Sequence, residues 1–334
     1  AYTCAIVFEV VLRLGREPVL VHEYCESCNI DPELIPKAVT SKTKVIVPVH
    51  LFGRPCDMGQ IIEMSEKLGL YVVEDAAQAL GAEFKDQKVG TFGDLAMFSF
   101  GPGKSITSGE GGALAVNNPE LGVHVSAPRK TITRSDWRWI LHVARNIIAM
   151  KVFSNPSMYT LIKNYVKGSV EESEKEILHN CLTLLKDAPP FYPTVKLAKM
   201  PNLSAAIAKE QLAKADEFNE KRIGNANKLT ALLGDTSENE VSVPRRHPNM
   251  KSTYTRYVVR VIKGNRGLII DRLLRHGIVA AGLYHCIEMF LEKLPNEKYQ
   301  HAKELANSLI ALPNHPLVTE SDMQDIYDAF CSTE

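Results

Sequence analysis

The sequence has no surplus of either charge. Its 334 residues carry 39 Lys plus Arg and 39 Asp plus Glu. A balance of zero leaves no electrostatic footprint for a polyanion, so nucleic acid is not an expected partner. No apolar run reaches the roughly 18 residues that a membrane-spanning helix requires, and the start shows no signal-peptide pattern. Tryptophan is scarce, with two in the chain, and aromatics make up 7% of it. The seven cysteines (Cys4, Cys25, Cys28, Cys56, Cys181, Cys286, Cys331) are scattered and odd in number. That argues against a disulfide framework and fits reduced thiols in a cytoplasmic protein. Cys25 and Cys28 form a lone C-x-x-C with no second pair at zinc spacing, so no metal site is expected. The first residue is not methionine.

What is present is ordinary globular composition, 45% hydrophobic and 23% charged. The length suggests two domains, or one large layered domain with an appendage. Residues 3–15 read as a helix, 18–22 as a short strand, and 29–39 as a loop entering a short helix. Residues 44–49 (KVIVPV) form a β-rich run. From 58 to 68 the apolar residues Met58, Ile61, Ile62, Met64 and Leu68 recur at helical spacing. Strands are expected at 70–74, 96–100 and 112–116. Short apolar strands alternating with helices predict an α/β fold with a mainly parallel, helix-covered sheet.

Residues 120–195 break this rhythm. Residues 136–153 hold both tryptophans and read as a helix, with a second piece at 157–166. A basic helix with Trp also has the make-up of a membrane-surface segment. Ile140, Leu141, Val143, Ile147 and Ile148 suit a protein core equally, and a packed helical hairpin is the expected arrangement. A long helix is expected at 204–222. The remainder reads as strand 254–262, helix 268–276, a strand after Gly277, and a last helix. Thr319 and Asp322 give that helix a T-x-x-D capping signal. The implied organisation is a large domain over 1–123, a helical insertion over 124–195, a linking helix over 196–224 and a small α+β domain over 225–334.

Chemistry concentrates in residues 72–116. Asp75 sits at the end of one predicted strand. Past the end of the next, a Gly-Pro-Gly turn presents Lys104. Open α/β sheets place ligands outside the carboxyl ends of their strands. An acid at one strand end and a lysine beyond another is the layout a pyridoxal phosphate (PLP) site requires: an amine for the Schiff base and a carboxylate for the pyridinium nitrogen.

The stretches PVHLFGRPCDM (48–58), VVEDAAQALGAEF (72–84), KVGTFGDLAMFSFGPGKSITSGEGG (88–112) and LIALPNHPLVTESDM (309–323) resemble the DegT/DnrJ-type sugar aminotransferases. These are PLP enzymes of the aspartate-aminotransferase fold, with a three-layer large domain and a small α+β domain. The resemblance covers most of the chain outside about 124–192. It implies that Lys104 is the Schiff-base lysine and Asp75 the partner of the pyridine nitrogen. It also implies that Gln78 lies near the cofactor ring, that Ser99 binds the cofactor phosphate, and that Tyr2 stacks on the ring. His50, Tyr254, Tyr284 and His285 fall in stretches that border the sugar pocket in the family. The implied reaction transfers an amino group, from glutamate, to a nucleotide-linked keto-sugar in a homodimer.

Two departures stand out. The family's glycine-threonine phosphate loop would lie before residue 1, so the resemblance implies an upstream segment. The family's Asn-x-Arg pair is replaced by Leu197-Ala198-Lys199, which keeps a positive charge but not the arginine fork. Two alternatives are a PLP-dependent sugar dehydratase, against which Lys104 speaks because those enzymes carry histidine there, and a non-catalytic relative that keeps the fold as a dimeric module.

Overall fold

The computed structural model describes residues 2–24, 27–133, 135–153, 198–236, 240–282 and 300–332. Helix α1 (Ala5–Arg13) and the short α2 (Ile35–Ala38) lead to strand β1 (Val45–Ile46). Helix α3 (Met58–Leu68) then crosses to β2 (Tyr71–Asp75), which pairs parallel to β1. The ends of α3 are set by its sequence. The Asp57 carboxylate accepts the Gln60 N–H at 3.1 Å, and Gly69 stops the helix in the left-handed region. Its buried face, Met58 and Ile61, packs on Ile35, Ile46, Val72 and Phe84.

A hairpin of β3 (Glu83–Phe84) and β4 (Gln87–Lys88) separates β2 from β5 (Leu95–Ser99). β5 runs parallel to β2, with Asp75 opposite Met97. β6 (Gly112–Val116) returns antiparallel along β5, from Leu95↔Val116 to Ser99↔Gly112. The sheet order is therefore β1-β2-β5-β6. Since β2 and β5 are parallel, their carboxyl ends share one edge. Residues 100–111 leave and re-enter the sheet at that same edge.

Helices α4 (Pro119–Thr131) and α5 (Trp137–Phe153) follow. The predicted helical piece at 157–166 lies outside the described residues, as do Tyr284, His285 and Leu197. Next come α6 (Asn202–Leu212) and α7 (Ala215–Thr236). The single helix expected over 204–222 is thus two, and α7 runs on past residue 224. The apolar faces differ: Ala208 packs with Phe100 and Ile106, whereas Leu229 and Leu233 enter another core.

That second core lies under an antiparallel sheet ordered β10-β9-β7: β7 is Val241–Ser242, β9 Tyr257–Val261 and β10 Leu309–Leu312. Tyr257 and Val259 point into it, against α7, α8 (Arg266–Arg275) and α10 (Glu320–Cys331). Helix α9 (Gln300–Ser308) precedes β10. The capping box read at Thr319 and Asp322 is present, each side chain bonding the other's backbone N–H. Residues 18–22 form no strand, and a single bridge pairs Glu23 with Ile30. The strand expected after Gly277 is likewise one bridge, Ala281 to Ala311. Among the described residues no helix is long and apolar enough to cross a membrane, and no group of three or more His, Cys, Asp or Glu could hold a metal ion.

The two sheets are knitted together. β8 (Met250–Lys251) pairs with β3, and the Thr253 N–H donates to the Gly53 carbonyl at 2.9 Å. Gly53 is at φ +83, and a Cβ there would lie 2.6 Å from Thr253 Oγ1 and 2.8 Å from the Thr255 nitrogen. Only glycine allows this approach.

Candidate active site

Asp75 closes β2 and is buried. Its backbone is clamped on both sides: its N–H donates to the Pro48 carbonyl and its carbonyl accepts the His50 N–H. One carboxylate oxygen accepts the Ala77 N–H at 3.0 Å. Among the described residues the other has no hydrogen bond. Burial pushes the carboxyl above its ordinary value of 3.8, against the Ala77 N–H and the Lys104 charge, which lower it.

Lys104 follows the turn at residues 101–103 and is partly buried. It forms no hydrogen bond or ion pair among the described residues. Burial lowers its pKa from 10.5; Cys4 and Asp75 oppose the shift and the Arg256 charge adds to it. The site thus joins a lysine whose neutral amine is favoured to a carboxylate with an open oxygen. Both suit PLP: an aldehyde needs a neutral amine, and a buried carboxylate gains from a cationic ring N–H.

Several residues that the sequence reading passed over hold this pair. Glu74, wholly buried, accepts the N–H groups of Gly90 (2.7 Å), Phe92 (2.8 Å) and Gly93 (2.7 Å), and contacts His50 Nε2 at 3.1 Å. Burial would raise its carboxyl, but the bonds from His50, Gly93 and Gly90 outweigh it and hold the group below 4.5. His50 Nδ1 accepts the Cys56 N–H at 3.0 Å, so the proton sits on Nε2 and is donated to Glu74. On the other flank, Arg222 of α7 donates to the Ser105 carbonyl at 2.6 Å, next to Lys104. Ser105 Oγ meets Thr255 Oγ1 at 2.8 Å, and Thr255 donates to the Gln78 carbonyl at 2.6 Å. Burial lowers the Arg222 pKa to about 10. A glutamate ending a strand and an arginine inside a long helix carry no local signal of these roles. Their partners lie 16–19 and 117 positions away.

The other predicted residues divide. Gln78 is buried, and its Oε1 accepts the N–H of Phe52, a residue held at φ 59. Ser99 ends β5, and its hydroxyl accepts the Gly101 N–H at 3.4 Å, so it sits at the foot of the Lys104 turn. Tyr254 is buried at φ 45, with its carbonyl bound by Asn314. His50 is fully buried with both ring nitrogens engaged, and it braces the sheet. Tyr2 is packed among Phe52, Leu305 and Leu309, with its N–H bound by the buried Glu23, and its ring lies 6.3 Å from that of Phe52. It is a core residue, because that apolar cluster surrounds it. Lys199 is exposed, with its N–H donating to the Thr133 carbonyl.

Comparison with known proteins identifies the family. The profile of the DegT/DnrJ/EryC1/StrS aminotransferase family matches residues 1–142 and 150–331. A GDP-perosamine synthase of Caulobacter vibrioides is 26% identical over 94% of this chain and 72% of its own length. The dTDP-3-amino-3,4,6-trideoxy-alpha-D-glucose transaminase of Streptomyces venezuelae is 43% identical over 108 residues, 32% of this chain and 28% of that protein. Among solved structures, S. venezuelae DesV in complex with a ketimine intermediate superposes with a TM-score of 0.70 at 23% identity, covering 98% of this chain and 75% of that one. Solved neighbours also include PLP and PMP forms. The chain belongs to the DegT/DnrJ/EryC1/StrS family of PLP-dependent aminotransferases.

Proposed function

We propose that the protein transfers an amino group, from glutamate, to a keto-sugar carried on a nucleotide, as a homodimer in the cytoplasm serving amino-sugar and surface-polysaccharide synthesis. The observation that carries the catalytic part is the pair Asp75 and Lys104. They stand at the shared carboxyl edge of adjacent parallel strands, each buried enough to disfavour its charge. The names of the relatives from Caulobacter and Streptomyces support the sugar-nucleotide acceptor.

The residues that would hold PLP are Lys104 and Asp75, with Ser99 at the foot of the Lys104 turn and the buried Gln78 as further candidates. When bound, PLP supplies a carbonyl carbon for the amine and a ring that accepts an electron pair. Asp75 would keep the pyridine nitrogen protonated. Glu74 and His50 keep the Asp75 backbone in place from behind. Lys104 Nζ removes the proton from the donor's α-carbon, and in the second half-reaction it delivers a proton to the sugar carbon that becomes the C–N carbon. The donor leaves as its 2-oxo acid and the keto-sugar as an amino-sugar. Both halves use one lysine, so ping-pong kinetics are expected.

The test supplies the full-length protein with PLP, glutamate and a panel of nucleotide keto-sugars, and follows 2-oxoglutarate together with the aminated product. Amination of at least one sugar with stoichiometric 2-oxoglutarate is the expected result. Formation of 2-oxoglutarate with no aminated sugar on any member of the panel would overturn the acceptor assignment.

A further inference from the structure

The turn that carries Lys104 has few ties of its own. Residues 101–106 make no backbone–backbone hydrogen bond to the rest of the described chain, and the returning limb is tied further on, where the Ser108 N–H donates to the Phe100 carbonyl at 2.9 Å. Ile106 packs in an apolar cluster with Phe100, Ala208 and Ala215. Among the described residues, the hydrogen bonds that join 102–106 to other segments both fall on Ser105, one on its carbonyl and one on its hydroxyl.

Those two bonds belong to one closed ring. Asn219 of α7 donates from Nδ2 to the Leu80 carbonyl at 2.9 Å. Its Oδ1 accepts Arg222 Nη1 at 3.1 Å, and Nη2 of the same guanidinium donates to the Ser105 carbonyl at 2.6 Å. Thr255 gives its single proton to the Gln78 carbonyl at 2.6 Å, so the Ser105 hydroxyl is the donor in the 2.8 Å contact with Thr255 Oγ1. The ring thus starts at Gln78 and returns at Leu80, just past Asp75, in the turn whose Ala77 N–H bonds the Asp75 carboxylate. One side of it holds the residue after Lys104, the other the segment after Asp75.

Gln78, Ser105, Asn219 and Arg222 are all buried, so a group released from the ring finds little water to replace its partner. Arg222 has no ion pair among the described residues, and burial lowers its pKa from 12.5 to about 10. A buried charge without a counter-charge is expensive to keep. A methionine would fill much of the same space without that penalty, but only the planar fork reaches acceptors on two separate segments. Arg222 also stands where α7 changes cores, between Ala215, which packs with Ile106, and Ala226, Leu229 and Leu233 under the β10-β9-β7 sheet. Thr255 leads into β9 of that sheet. The spacing of Asp75 and Lys104 is therefore held by elements of the second core as well as by the strands that carry them.

We propose that this ring sets where Lys104 stands relative to Asp75, and that Arg222 and Thr255 are positioning residues for the proton transfer that Lys104 performs. The effect on rate rests on the aminotransferase reading; the hold on Lys104 does not.

The experiment makes two measurements on full-length wild type, Arg222→Met, Arg222→Lys and Thr255→Val. In the cofactor-free proteins, the pH dependence of acetylation at Lys104 is read by peptide mass spectrometry. Burial holds the Lys104 amine below 10.5, and a turn released from the ring takes up water. The midpoint should therefore rise toward 10.5 in Arg222→Met and Thr255→Val, and by less in Arg222→Lys, which keeps the charge and a donor for Ser105. In the PLP-loaded proteins, kcat for amino transfer should fall about tenfold or more in the Met and Val variants with KM within about twofold, because a misplacement of about 1 Å costs up to about a hundredfold. Arg222→Lys should recover part of that loss. Either reading unchanged in the folded Met and Val variants overturns the proposal, as does a loss carried by KM alone. If Arg222→Met melts early, Thr255→Val, which keeps the shape of the side chain and removes only the hydroxyl, decides by the same readings. Wild type that transfers no amino group with any donor and acceptor sinks the aminotransferase reading, and the Lys104 midpoint then judges the ring by itself.

Discussion

Replacing Glu74 by glutamine keeps the shape of the side chain and removes one acceptor oxygen. In the native protein the two carboxylate oxygens receive four donors, from Phe92 and Gly93 on one and Gly90 and His50 on the other. Whichever way the new amide turns, its NH₂ faces two of them. Each buried donor left unsatisfied costs about 1–3 kcal/mol, so the gross loss is about 2–6 kcal/mol. Removing a buried charge returns part of this. The return is incomplete, because the Glu74 carboxyl lies below 4.5 despite its burial, which means the hydrogen bonds outweigh desolvation. A net loss of about 2–4 kcal/mol at pH 7 is expected, large against the roughly 5–15 kcal/mol that separates native from unfolded chains. The assay is urea unfolding followed by far-UV circular dichroism. The sign of the pH dependence is set by linkage. A carboxyl with a depressed native pKa contributes stability that is present above its unfolded value and lost as pH falls through its native value. The gap between wild type and Glu74→Gln should therefore narrow as pH drops below about 4.5. A change under about 1 kcal/mol, or a gap that persists in acid, would refute the reasoning.

Other perturbations test neighbouring parts of the account. Asp75→Asn should stabilise the cofactor-free protein while abolishing most transamination. Its carboxyl is raised by burial, so the ionised form opposes folding at pH 7, and the gain in the unfolding midpoint should vanish below the ordinary value of 3.8. A variant that lost stability and activity together would mark Asp75 as a structural acid. Gly53→Ala forces a side chain at φ +83 into Thr253 and the Thr255 backbone, and should cost about 2–5 kcal/mol in denaturant titration; a cost under about 1 kcal/mol would show that the two sheets are not held by this contact. Thr319→Ala removes the capping box of α10 and should cost about 1 kcal/mol of thermal stability with activity unchanged.

Where the chain's own local chemistry decides structure, sequence reading reached it. Met58–Leu68 is a helix as its apolar spacing implies, Thr319 and Asp322 start α10, and Gly112–Val116 is a strand as its apolar run implies. Asp75 ends β2 and Lys104 follows the turn after β5, positions that the strand pattern of the sequence implies. Residues 18–22 misled because Val19 and its neighbours look β-prone, yet Val19 lies half exposed with no partner strand. The helix read over 204–222 breaks at Ala213 and Lys214, where the two halves turn their apolar faces to different cores. The supporting shell was hidden for a different reason. Glu74, Arg222 and Thr255 act through contacts tens to more than a hundred positions apart, and no local pattern encodes such distances. The family resemblance implied that Tyr2 stacks on the cofactor ring; here it packs in the apolar cluster of Phe52, Leu305 and Leu309.

The central claim is that Lys104 is the residue that joins cofactor to protein and moves the proton. It is tested most directly by recording the visible spectrum of full-length wild type and Lys104→Ala with PLP, before and after glutamate, and then reducing each sample with borohydride. Wild type should show a band that shifts with glutamate, and reduction should leave the cofactor covalently fixed at residue 104 on peptide mapping. Lys104→Ala should fix none and turn over no substrate. Cofactor fixed at another lysine, or full turnover by Lys104→Ala, would contradict the account.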